Sequence, residues 1–106
     1  MGLDSDVPPS LVSIRNDLMA RRDKYLEREA EENRCLKEDE ATIRVIDQLL
    51  CAQPQNWKEL VAYRTNRTGC INNHHGDLAL LHGAIVDVDK SLCWVEDRIK
   101  FYANLK

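Results

Sequence analysis

A chain of 106 residues has room for one domain and a modest core, and little for a deep substrate cavity. Hydrophobic residues at 43% and charged residues at 31% exclude a disordered chain. A net charge of −3 with no long block of either sign argues against a general nucleic-acid binder, which carries a basic face.

No stretch reaches the ~18 apolar residues that span a bilayer. The opening MGLDSDVPPS has no basic region followed by an apolar one, so no secretory signal is read there. Gly2 fails the myristoylation pattern, because Asp6 stands where Ser or Thr is wanted. The expected location is cytoplasmic, and the sequon Asn66-Arg67-Thr68 is then inert.

Residues 1–8 are expected to form a flexible tail, and 9–106 a single helical domain. Pro8, Pro9 and Ser10 supply a helix start. From Leu11 to about Gln53 there is neither Gly nor Pro, and strong helix formers dominate, which predicts a helix over about 10–53. Its apolar pattern is uneven. Leu11, Ile14 and Leu18 begin a stripe and Ile43, Ile46, Leu49 and Leu50 end one. Between them the same register carries Arg21, Tyr25, Arg28, Glu32, Cys35 and Asp39. The helix is read as continuous through residues 37–40, its middle a solvated span held by pairs such as Asp17–Arg21 and Arg28–Glu32.

Pro54 ends that segment. Asn56 with Glu59 resembles a capping box and opens a short helix, about 57–65, with Trp57, Leu60 and Val61 facing the core. NRTGCINNHHG, residues 66–76, reads as a loop. Asp77 is then the cap of a last helix over about 77–104. Its seam is the strongest pattern in the chain. Leu78, Leu81, Ile85, Val88, Leu92, Val95, Ile99 and Tyr102 alternate in steps of three and four, so they lie on one side and call for a helix against them. Gly83, beside Ala79 and Ala84, suggests a close crossing under the short helix.

Trp94 and Phe101 point almost opposite to that seam, with Leu80 and Leu105 nearby. A helix apolar on both sides needs neighbours on both. The first helix also appears longer than the last by ten or more residues. Both mismatches predict that another chain completes the core, a homodimer being the simplest case. Trp94, Phe101, Leu11, Ile14 and Leu18 are the candidate partner-binding residues.

The fold class that follows is all-α: an antiparallel hairpin of two long helices with one short connecting helix, packed like a coiled coil and completed by oligomerisation. Folding it about the middle loop places positions opposite each other when their numbers add to roughly 128. That makes Cys35–Cys93 and Cys51–Cys70 possible disulfides, and the arrangement resembles in outline the twin-cysteine helical hairpins of the mitochondrial intermembrane space. Those hairpins use matched short spacings, which this chain lacks. Four reduced thiols are therefore the first reading, and a disulfide-stapled organellar subunit the alternative.

Cys70, His74 and His75 have the only metal-like spacing, but there is no CxxC and adjacent histidines seldom share an ion. No metal or cofactor is expected. Cys70 with a neighbouring histidine is the one local nucleophile–base pair, with no orienting third group or oxyanion hole, so no catalytic residue is assigned and no enzymatic activity is expected. Arg15, Arg21, Arg22, Lys24 and Arg28 are followed at once by seven acidic residues, which reads as a mixed-charge solvated face. The function expected is a non-catalytic helical interaction module: an adaptor, inhibitor or assembly subunit. A small zinc- or nucleic-acid-binding regulator is a further alternative.

Overall fold

The computed structural model describes residues 7–105. Most of the tail assigned above, with Gly2 and Asp6, lies outside them. Val7 lies inside and is buried, so it belongs to the core and not to a tail.

The protein is all-helical. Helix α1 runs Pro9–Cys51 and α2 runs Trp57–Ala103, and the two pack against each other as an antiparallel pair. Pro9 sits at the first helical position, where its missing N–H costs nothing. The reading of α1 as unbroken through 37–40 holds. Its end is built at Gln53, whose φ of 53° is left-handed and whose N–H donates to the Leu50 carbonyl at 3.0 Å. That is the usual stop for a helix, made here without the usual glycine, and Pro54 prevents resumption. At the start of α2 the N–H groups of Glu59 and Leu60 donate to the Asn56 carbonyl.

Two expectations are overturned together. The short helix 57–65 and the last helix 77–104 are one 47-residue helix, and residues 66–76 are helical throughout. No separate connecting helix exists among the described residues, and Asp77 is interior rather than a cap. The cause lies in the seam. Leu60, Arg64, Arg67, Ile71 and His74 continue the Leu78–Tyr102 series in steps of four and three, and each is half-buried. Contacts with α1 hold the Asn- and Gly-rich stretch helical against its intrinsic preference. Trp57 and Val61 fall off that seam and are exposed rather than core.

The seam of α1 is also displaced. Leu11, Arg15, Leu18, Arg22, Tyr25, Glu29, Glu32, Leu36, Asp39, Ile43, Ile46 and Leu50 alternate in steps of four and three, and all are buried or half-buried. Ile14 and Leu49 are exposed. Five of these twelve positions are charged, which is why apolar spacing alone misplaces the stripe. Glu32 turns across to α2 instead of pairing with Arg28. The ion pairs within α1 are those of Arg34 with Glu31 and Glu38.

The chain divides into two compact units. One is the contiguous segment Arg28–Leu81; the other joins Met1–Glu27 to His82–Lys106. Buried apolar side chains in the first are Leu36, Ile46 and Leu81, and in the second Val7, Ile85, Val88, Leu92 and Val95. Among the described residues no side chain is wholly inaccessible. A single helix-on-helix seam cannot enclose one, which is why self-contained bundles use more helices.

The turn at 52–56 sets the pairing. Arg64–Asp47, Arg67–Asp39, His74–Glu32, His74–Asp39 and Arg22–Asp89 have numbers adding to between 106 and 113, not 128. The disulfides drawn from the larger sum therefore do not form. Cys35, Cys51, Cys70 and Cys93 are all free. The inequality of helix lengths also disappears, since α1 has 43 residues and α2 has 47.

Candidate interaction surface and seam network

Two features stand out from the plain helical frame: an apolar groove in the unit formed by the chain ends, and a charged network in the Arg28–Leu81 unit.

The groove lies between the N-terminal part of α1 and the C-terminal part of α2. Ile14, Leu18, Lys90, Ser91, Trp94 and Val95 line a space of about 450 Å³. Trp94 is 61% exposed and Ile14 46%. A second hollow, about 230 Å³, shares Leu18 and Ser91 with the first and carries Arg21 and Asp87. One face thus runs from a largely apolar end that includes Lys90 to an end bearing Arg21 and Asp87. Of the five candidate partner-binding residues, Ile14, Leu18 and Trp94 meet in this groove. Leu11 is half-buried on the α1 seam. Phe101 is half exposed and engaged locally, edge-on to Tyr102 at 5.4 Å and under the Arg98 guanidinium at 4.8 Å.

The network replaces apolar packing across three turns of the seam. His74 Nδ1 lies 2.6 Å from Glu32 Oε2, and its Nε2 lies 3.2 Å from Asp39 Oδ2. The other oxygen of Asp39 accepts from Arg67 Nη1 at 3.0 Å. Arg67 Nη2 donates to the Tyr63 hydroxyl at 2.7 Å, with the guanidinium 5.0 Å from the Tyr63 ring centroid. Asp39 is the one buried charged residue among the described residues, and both its oxygens are used, as burial of a carboxylate requires. Hydrogen bonding to Glu32 raises the His74 pKa above its ordinary value, with Asp39 adding to the effect. Nearer the turn, Arg64 donates to both oxygens of Asp47, and that bond lowers the Asp47 pKa.

Sequence reading missed this network because it placed 66–76 in a loop. The available signal was the 3-4-3 spacing of Arg64, Arg67, Ile71 and His74, which becomes visible once charged residues are admitted to a seam.

Cys70, His74 and His75 do not converge. Cys70 is half-buried near Asn66, His74 faces α1, and His75 is exposed. Among the described residues no group of three or more His, Cys, Asp or Glu side chains is disposed to hold a metal ion. No described helix is long and apolar enough to cross a membrane. Comparison of the chain with known protein families, curated proteins and solved structures finds no match in any of the three.

Proposed function

We propose that the protein is a non-catalytic helical interaction module, acting as an adaptor, inhibitor or assembly subunit, and that its first partner is a second copy of itself. The observation that carries this reading is the Trp94–Ile14 groove. A large aromatic standing 61% exposed beside an aliphatic-lined hollow is the composition of an interface hot spot, not of a solvated face.

Other large apolar side chains of the unit formed by the chain ends support the same reading: Met19, Val86 and Phe101 stand exposed as well. Charge favours a second copy over an unrelated chain. A two-fold interface must carry its own complement, and this face bears both Arg21 and Asp87.

Sedimentation or light scattering tests the proposal. The expected mass is about twice 12.2 kDa, and Trp94→Ala should weaken self-association about 30-fold, the equivalent of a 2 kcal/mol hot spot. A wild-type protein that stays monomeric at high micromolar concentration would remove the homodimer. A dimer indifferent to Trp94→Ala would move the interface elsewhere.

A further inference from the structure

We infer that His74 is a pH-gated clasp: as an imidazolium it ties α2 to Glu32 and Asp39 of α1, and its deprotonation releases one of the two ties.

The argument begins with donor counting. Each ring nitrogen faces a carboxylate oxygen, at 2.6 Å and 3.2 Å. A carboxylate only accepts. A neutral imidazole has one N–H and one lone pair; an imidazolium has two N–H groups. Only the charged ring satisfies both contacts. When the proton leaves to solvent, whichever nitrogen has lost it turns a lone pair toward a carboxylate oxygen. The contact on that side becomes repulsive.

The remaining neighbours do not relieve it. The charged groups acting on the ring are Glu32 and Asp39, both from α1. On its own helix, Arg67 bonds the far oxygen of Asp39 and Tyr63, so Arg67 holds the Asp39 carboxylate in place without reaching the ring. The side chain of His74 is one-fifth exposed, so water can take the proton yet cannot fully rehydrate the two acids. The position is also consequential. His74 sits on the seam of the Arg28–Leu81 unit, whose buried apolar side chains number three. A polar tie lost there acts on a seam with few fully buried apolar side chains to offset it.

The sign follows from linkage. A histidine more basic in the folded than in the unfolded chain stabilises the fold fully below its unfolded value, about 6.5, and the contribution disappears as pH rises through the folded value. The clasp is therefore closed on the acid side of neutrality and opens toward the alkaline side. This does not depend on the partner proposed above.

Two measurements on the full chain test it. In NMR titrations the His74 ring should titrate at higher pH in the folded protein than in the same protein unfolded in urea. In parallel, the urea midpoint should fall between about pH 6 and about pH 8, and His74→Gln should lose most of that fall. Glu32→Gln removes the negative charge from one tie and should bring the folded His74 titration down while leaving the ring in place. If His74→Gln does not fold, the wild-type and Glu32→Gln titrations decide alone. A folded His74 that titrates at or below its unfolded position overturns the clasp. So does a His74→Gln protein whose midpoint tracks wild type at every pH.

Discussion

Asp39 shows what one residue decides here. Its carboxylate is the only acceptor shared by the two cationic side chains of the seam network, Arg67 and His74. Truncating it leaves an arginine and a histidine half-buried without that acceptor. Asp39→Ala should cost about 1–3 kcal/mol, the range for removing one side of a buried hydrogen-bonded set that keeps some solvent access. Chemical denaturation near pH 6 reads this directly. Gln53 makes the opposite case. Holding a non-glycine residue at φ 53° costs about 1 kcal/mol. Gln53→Gly should recover part of it, seen as a thermal midpoint a few degrees higher. A fall would mean that the Gln53 side chain makes a contact worth more than its strain.

At the scale of the element, each long helix is a compromise between local preference and seam. In α2, Gly69, Gly76 and Gly83 each weaken the helix by about 1 kcal/mol relative to alanine. A Cβ at any of them meets nothing within 4 Å, so the close crossing expected at Gly83 does not exist within the chain. Gly83→Ala should therefore stabilise the folded protein by about 0.5–1 kcal/mol, measurable as a higher urea midpoint. The same compromise explains what could be read in advance. The Leu78–Tyr102 seam was legible because its positions are apolar without interruption save at Tyr102. Unbroken helix through residues 37–40 was legible from propensity and the lack of a breaker. The stretch 66–76 was not, because Asn, Gly and His are judged locally as loop formers. What keeps them helical are partners 28 to 42 residues away in sequence. The α1 stripe was misread by one residue at Ile14 for a related reason: the true seam places Arg15 and Arg22 where apolar residues were sought. Of the five candidate partner residues, those that depend on helix geometry alone, Trp94 and Phe101, were correctly placed on the exposed side. Leu11 and Leu18, read as the start of the α1 stripe, do lie on the seam, and Leu18 also lines the groove.

For the whole molecule, the matter turns on how a single helix pair accommodates the large apolar side chains it leaves exposed, Trp94 and Ile14 among them. Sequence reading reached a dimer partly through unequal helix lengths, and that premise is gone. What supports it now are exposed apolar side chains such as Trp94 and Ile14 and a face with both signs of charge. The charges give a sharper test than the aromatic. Arg21→Glu and Asp87→Arg should each weaken self-association several-fold by setting like charges against each other across the two-fold. Combined in one chain they should restore it. Failure of the double variant to recover would place Arg21 and Asp87 outside the contact, even if Trp94→Ala weakens it.

The division of the chain also has a temporal consequence. The ties across the hairpin span 17, 28, 42 and 67 residues as they recede from the turn at 52–56. Closing a loop becomes entropically dearer with its length, and each tie already made shortens the next. Structure should thus nucleate beside Pro54 and zip outward. The segment made of both chain ends is tied across its two helices only over the longest span, 67 residues, and comes together last. Opening should run in reverse, so amides near Arg22 and Asp89 are expected to exchange with solvent before those near Asp47 and Arg64.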